Sequence, residues 1–520
     1  MRVVPTVIRG ALVGNKLFAI ALVPAVLLRV DAELGYRWQS WFNDSWNYLD
    51  TSITLNLDPT RPSGYSLFLW LLKPLHSFAP VTLSQHVMGL LVAVMMYALA
   101  RRRFGASAWL ATAITLPVLY DGFEIQLEHL IMSDTLFLFL AMLATTVLLW
   151  SPLRAQSESW WRCAVAGGLL GLSSIFRTTG LPLIPVFAVY LLVCLGLSRV
   201  GWRALVASVA SFVVVGVAPV VVYAGWFDLQ HGTFNTSEST GVFLYSRVMT
   251  FADCSRMQLT PDLLSLCTAV PPDQRPTAQA YIWTDASPLH RFPRSVFSPL
   301  PNSLGQQFAI KAIEAQPVSY ARVVFDDTWR SFGWSRTAFP NAQTYDEYLF
   351  GNQSVPISNL HRVPGYSSSA AAYLAGGNPL TAVVNPFAVI IRDYQRYVWL
   401  PGTVYGLILL VSLGGIAWRR GRTGLDALLP WASSLVLIVV PAATAEFDYR
   451  YVTTAVPFAT LALAIAFGRR TEAKKASAVS GASGVPGGAA NLPRRIPGGG
   501  SGNGSVEPGH DERDFAPDAP

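Results

Sequence analysis

The sequence predicts an all-α polytopic membrane protein of about ten transmembrane helices, with interfacial helices in its first outside loop and a larger extracytoplasmic segment. Three observations predict it. The composition is 52% hydrophobic and only 13% charged, against roughly 25% charged in a soluble domain, and the mean hydropathy is +0.38. Long apolar stretches recur at the length needed to cross hydrocarbon. Arginine and lysine fall in groups between alternate stretches, as short cytoplasmic loops require.

The expected spans are residues 15–31, 81–99, 106–120, 134–150, 163–178, 181–197, 204–225, 399–417, 425–443 and 451–468. Sixteen Trp and nineteen Tyr suit a protein with two water–lipid boundaries, where amphipathic rings settle. No small-residue cleavage site follows 15–31, so that stretch is expected to stay in the membrane as a span. With the N-terminus inside, one face collects Arg2, Arg9 and Lys16; Arg101, Arg102 and Arg103; Arg154 and Arg162; Arg199 and Arg203; Arg419, Arg420 and Arg422; and Arg469, Arg470, Lys474 and Lys475. Both termini are then cytoplasmic. The formal charge of +7 reads as a rim facing anionic membrane lipids and not as a nucleic-acid footprint.

Residues 1–225 form an N-terminal transmembrane half whose first outside loop, 32–80, mixes Trp, Tyr and Phe with Asp44, Asp50, Asp58 and Arg61, the texture of helices lying in the interface. Residues 226–398 read as an extracytoplasmic domain or loop set, because an unstructured connection of that length is unusual. Cys254 and Cys267 fall there, and an oxidising compartment would let them bridge or leave them reduced. Residues 399–468 supply the C-terminal spans. The Gly-, Pro- and Ser-rich stretch 469–520 has too few apolar residues to fold and is expected to be a disordered cytoplasmic tail. Without a CxxC or His-rich run, no structural zinc site is expected. The triplet Asn352-Gln353-Ser354 is a weak glycosylation signal and is read as incidental. Abundant Ala, Val, Gly and Arg with few Lys is typical of GC-rich bacteria, so a bacterial plasma membrane is the expected location.

Sparse polar residues on this apolar background follow an order. Asp44 lies in the aromatic first loop; Arg61-Pro-Ser-Gly-Tyr65 leads into an apolar run; a span ends at Arg101, Arg102 and Arg103; and LPVLYDGFEIQLEHLIMSDTLF places Asp134 at the opening of the next long span. Near the end, AEFDYRYVTTAVPFATLALA carries Arg450, Tyr451 and Pro457. This order resembles the polyprenyl-phosphate-dependent glycosyltransferases of the GT-C type, which include protein O-mannosyltransferases and the aminoarabinose transferase of lipid A. The resemblance covers roughly 30–200 and 440–468. It implies a transferase that takes a sugar from a polyprenyl-phosphate donor to a glycan, lipid or protein acceptor outside the membrane. Relatives often carry two adjacent acids in the first loop, whereas Asp44 is followed by Ser45. No cofactor is implied with certainty, and a divalent metal stays open.

The residue chemistry suits that reaction. An acceptor needs a base as it attacks the anomeric carbon, and Asp44 is the candidate, with Asp134 as a second active-site carboxylate. The departing phosphate is already a stable anion and needs positive charge more than a proton. Arg450 with Tyr451, then Arg177, Arg61 and Tyr65, are the candidate donor-binding residues, arginine because its planar fork pairs two phosphate oxygens. Asp50, Glu128 and His129 are candidates for acceptor contact or for support behind the site. Direct attack with no enzyme nucleophile gives inversion.

Each residue also has a plain structural reading. Asp44 could cap a helix, Asp134 could be an N-terminal acid facing the helix dipole, and Arg450 could pair with nearby Glu446 or Asp448. Glu124 and Glu128, four apart, would share a solvated face of a short helix. Lys73, Arg61 and Tyr65 could anchor an interfacial helix. Two other classes also fit the composition. A secondary transporter would gather charges at the bilayer midplane in repeated halves, and a non-catalytic scaffold for cell-envelope glycan assembly would tolerate loss of Asp44.

Overall fold

The computed structural model describes residues 15–468 apart from 38, 154–158, 199–200, 286, 294, 353–365, 379 and 420–421. The tail, Arg2, Arg9, Arg154, Arg199, Arg420 and the Asn352 triplet's last two residues lie outside them. All ten apolar stretches are helical, but they are not ten equivalent spans.

Among the described residues, five helices are long and apolar enough to cross a membrane: Ala79–Arg103, Thr178–Leu197, Trp202–His231, Thr423–Thr444 and Tyr449–Phe467, with a sixth if the bent pair Phe387–Tyr397 and Gly402–Trp418 counts as one. The expected count is therefore not reached by length and composition. The first stretch is helix α1, Lys16–Gly35, which carries Arg29, Asp31 and Glu33 in its last turns. The stretch 106–120 breaks into Ala108–Ala113 and Leu116–Tyr120, because Pro117 has no N–H to continue the first helix and suits the start of a new one. The stretch after Asp134 is a 16-residue helix, Asp134–Leu149, about 24 Å long at 1.5 Å per residue. The stretch expected at 204–225 runs on to His231.

Burial separates the centre from the rim. In Tyr449–Phe467, 78% of the apolar window is buried, against 17% in Trp202–His231, whose Val206, Val214, Val222 and Leu229 are exposed. The C-terminal helix is thus the hub, and it carries Arg450 on its first turn.

The peripheral helix is fastened by small residues. A Cβ on Gly167 would lie 2.1 Å from the carbonyl oxygen of Phe212, and one on Gly171 would lie 2.0 Å from that of Gly216. Backbones meet directly between Ser159–Phe176 and Trp202–His231, the small-xxx-small geometry of membrane helix pairs. Gly225 has nothing within 4 Å of its Cβ position. Gly171→Ala is therefore expected to lower stability by about 1–3 kcal/mol through overpacking, while Gly225→Ala leaves it unchanged or slightly raised. Thermal unfolding of the two variants in detergent checks this.

The described residues of 232–398 include the helices Pro299–Ala315 and Pro317–Arg330 and hold a core of their own around Val242, Tyr245, Leu266 and Phe308. Cys254 and Cys267 are disulfide-bonded. The segment is stitched to the first loop: the Glu238 N–H donates to the Pro59 carbonyl at 2.7 Å, and the two-residue strand β1, Tyr36–Arg37, pairs antiparallel with β2, Ala382–Val383, Tyr36 opposite Val383. A second tie is internal to the first half, where Ser40 bridges Leu130.

Candidate functional site

Asp44 immediately precedes helix α2, Ser45–Thr54, and its side chain makes no cap hydrogen bond. The local turn is closed instead by Ser45, whose Oγ accepts from the Phe42 N–H at 2.9 Å. The capping reading is therefore wrong, and the carboxylate is free to face two arginines. Arg61 Nη1 lies 2.5 Å from Asp44 Oδ1, and Arg450 Nη1 donates to Oδ2 at 2.6 Å. Each carboxylate oxygen takes one guanidinium.

Both arginines are held by further acids. Asp58 Oδ1 accepts from the Thr60 N–H and Oγ1, both at 2.7 Å, an Asx turn that fixes the backbone just before Arg61. Asp58 Oδ2 accepts from Asn47 at 2.6 Å. Asp448 caps the C-terminal helix through the Arg450 N–H, pairs with Arg450 Nε at 2.9 Å, and accepts a short hydrogen bond from the Tyr348 hydroxyl. The Arg450 guanidinium also lies 5.2 Å from the Phe42 ring centroid and 5.7 Å from that of Tyr451, within cation–π range of both rings. Arg177, from the turn after Ser159–Phe176, sits 5.1 Å from the same Tyr451 ring and is ion-paired with Asp134.

Asp44, Arg61, Arg177, Arg450 and Tyr451 line one cavity of about 1140 Å³. The expected pairing of Arg450 with Asp448 is present, and the pairing with Asp44 is added to it. Asp134 is fully buried behind Arg177. The other sequence candidates lie off the cavity. The Tyr65 hydroxyl donates to Gln85 Oε1 at 2.7 Å, and Asp50 Oδ1 accepts from Ser369 at 2.8 Å. Glu128 and His129 are fully buried in a separate polar cluster with Arg29 and His86. Glu124 is buried too, so the expected solvated face of Gly122–His129 does not exist; the helix packs against α1 and Ala79–Ala98. Asp58 and Asp448 brace the two arginines, and Tyr48, whose hydroxyl is 3.0 Å from Ser133 Oγ, lines the same cavity and is the one residue of the three that the sequence does not mark. The Asp-Pro-Thr-Arg turn was a readable sign for Asp58.

Burial pushes the Asp44 carboxyl up, but Arg61 and Arg450 outweigh it and hold it well below the usual carboxylate range. Asp44 is a carboxylate at any physiological pH. Glu347 is the opposite case. Its Oε2 accepts the Asn43 N–H at 3.0 Å, its Oε1 is buried without a hydrogen-bond partner among the described residues, and burial raises its carboxyl to about 8. A carboxyl raised on folding adds stability that is full below about 4.5 and is lost as pH climbs through about 8. Glu347→Gln is expected to flatten that decline, so unfolding midpoints of the two proteins should diverge between pH 5 and pH 8 in favour of the variant.

No family profile and no curated protein matches this chain. Solved structures do match at low identity. The Saccharomyces cerevisiae protein O-mannosyltransferase Pmt1-Pmt2 complex bound to its sugar donor shares 14% identity over 45% of this chain and 36% of its own, with a TM-score of 0.35. The Archaeoglobus fulgidus oligosaccharyltransferase AglB, with an inhibitory peptide and a dolichol-phosphate, shares 13% over 91% of this chain and 52% of its own, TM-score 0.38. ArnT from Cupriavidus metallidurans, bound to undecaprenyl phosphate, shares 16% over 90% of this chain and 79% of its own, TM-score 0.34. The chain thus spans a third to a half of the first two. Likeness at this level settles neither activity nor substrate, which rest on the site. These matched structures are of a protein O-mannosyltransferase, an oligosaccharyltransferase and ArnT.

Proposed function

We propose that the chain is a membrane glycosyltransferase that moves a sugar from a polyprenyl-phosphate donor to a glycan, lipid or protein acceptor on the extracytoplasmic face, by direct inverting displacement with Asp44 as base. The observation that carries this reading is one carboxylate held between two guanidinium groups, Arg61 and Arg450, on the wall of a large cavity.

The arrangement has a built-in exchange. Arg61 pairs with Asp44, and Arg450 with Asp44 and Asp448. A donor phosphate would compete for the same forks, since guanidinium binds both anions in the same planar, two-point way. As the arginines turn to the phosphate, Asp44 loses the partners that depress its proton affinity. Its basicity then rises at the moment an acceptor proton must be removed. The C–O bond to the anomeric carbon breaks with its electron pair on the phosphate, and the arginines hold that charge. The acceptor oxygen or nitrogen forms the new bond from the opposite side, and its proton passes to Asp44.

The test is transfer of radiolabelled sugar from a panel of polyprenyl-phosphate donors by the purified full chain in detergent or vesicles. Label moving to an acceptor, with release of the polyprenyl phosphate, is the expected result. Absence of transfer from every donor, while the same vesicles take up a solute, would replace the reading with a transporter; absence of both would favour the scaffold.

A further inference from the structure

The second polar cluster lies among α1, Ala79–Ala98 and Gly122–His129, apart from the Asp44 cavity. Arg29 grips Glu128 with both ends of its fork, Nε to Oε2 at 2.8 Å and Nη2 to Oε1 at 2.7 Å, so the two charges cancel. Glu128 can come this close to Ala79–Ala98 because residue 89 is glycine: a Cβ there would lie 1.8 Å from Glu128 Oε1.

Two histidines complete the cluster, and their tautomers follow from their outer partners. His129 Nε2 is 2.7 Å from the Tyr36 carbonyl oxygen. A carbonyl only accepts, so Nε2 carries the hydrogen and Nδ1 of the neutral ring carries a lone pair. His86 Nδ1 is 2.8 Å from Glu128 Oε2, an oxygen that already accepts from Arg29 Nε at 2.8 Å, so Nδ1 donates and Nε2 carries the lone pair. These two lone-pair nitrogens then face each other at 3.2 Å. Beside them Glu33 Oε1 lies 3.8 Å from His86 Nε2 and has no hydrogen-bond partner of its own. Two imidazole lone pairs and a carboxylate oxygen, all within 4.8 Å of one another, repel unless something positive stands between them.

We propose that Glu33, His86 and His129 bind a divalent transition-metal ion, with zinc the best fit. Two nitrogens bound to a tetrahedral zinc at about 2.0–2.1 Å are about 3.3 Å apart, close to the spacing of this pair. The ligand set, two imidazoles and one carboxylate, is a borderline-soft set that zinc accepts and that calcium and magnesium do not prefer. The outer partners are those of a metal-bound histidine: each ring's other nitrogen donates to a carboxylate or a carbonyl. The three ligands are separated by 53 and 43 positions in the chain, so no compact motif announces them, and the expectation of no structural zinc, drawn from missing motifs, does not reach this site. The site's role is to clamp. It joins α1 to the helix that leads into Asp134, next to the Ser40–Leu130 bridge that ties down the first loop.

The full chain, purified without a histidine tag and exchanged through metal-free buffer, is assayed for metal by mass spectrometry beside His86→Gln, His129→Gln and Asp44→Asn. About one zinc per chain is expected in the native protein and in Asp44→Asn, and a several-fold loss in each histidine variant. Substoichiometric metal in the native chain that zinc supplementation fails to raise overturns the proposal, and so does retention of the metal in both histidine variants. If those variants do not fold, the cobalt-substituted native chain decides: absorption bands of a tetrahedral nitrogen–oxygen site support it, and their absence refutes it. Neither readout depends on glycosyl transfer.

Discussion

Asp44→Asn is expected to lower turnover of a polyprenyl-phosphate sugar by roughly 10²–10⁴-fold, the usual worth of a positioned general base. The substitution keeps the shape and one acceptor oxygen, so either Arg61 or Arg450 retains a hydrogen bond while the negative charge between them is gone. The donor itself should bind no worse and could bind more tightly, because the arginines no longer have a competing carboxylate. The signature is a fall in kcat with KM for the donor unchanged or reduced, read from initial rates at matched enzyme concentration. Turnover within a few-fold of the native chain would remove Asp44 from the chemistry. Unfolding midpoints measured in parallel separate a catalytic loss from a folding loss.

Arg450→Gln should act on the other side of the reaction. Its guanidinium contacts Asp44 and Asp448 and lies against Phe42 and Tyr451. On the proposed mechanism, removing it takes away a group that would hold the leaving phosphate, a loss of roughly 10²–10³-fold in kcat/KM if it resembles removal of an oxyanion-stabilising donor. Arg450→Lys keeps the charge but not the planar two-point geometry, and is expected to recover little. Rates with native, Gln and Lys proteins across a donor series check this; full rescue by lysine would mean that only net charge matters. Arg177 is a poorer probe. Its partner Asp134 is 0% exposed, so Arg177→Gln leaves a buried charge unpaired at a stability cost of about 3–5 kcal/mol, and lost activity would not by itself indicate a role with substrate.

The parts of this architecture that were legible in the sequence are those set by local composition. Apolar stretches became helices, the aromatic first loop became α2 and Gly64–Leu72, and Asp44, Arg61, Arg177, Arg450 and Tyr451 came together on one cavity. The cysteine pair in the long segment, which spacing left open, is bridged. What was not legible depends on contacts between distant residues. Pro117 broke a stretch that hydropathy alone reads as continuous. Glu124 and Glu128 look like the charged face of an exposed helix, but Arg29, 99 positions before Glu128, supplies the charge that lets the latter be buried. Tyr65 and Asp50 sit in the right segment and point elsewhere, because Gln85 and Ser369 satisfy them. A periodicity argument sees which side of a helix is polar; it does not see which neighbour meets it.

The Asp44–Arg450 hydrogen bond joins residues 406 positions apart, and this sets a timetable. During synthesis the first loop emerges early, with Asp44 facing Arg61 alone. Its second guanidinium arrives on the last of the described helices, the one most enclosed by the others. Every preceding helix must already be in place before that hub can be enclosed, since membrane helices associate after they are inserted. A ribosome-bound or truncated chain ending before residue 449 therefore has the loop, the acid and Arg61, yet lacks the second guanidinium that pairs with Asp44. The Asp44–Arg450 pair forms only when that helix packs, and a chain in which it has not packed lacks it.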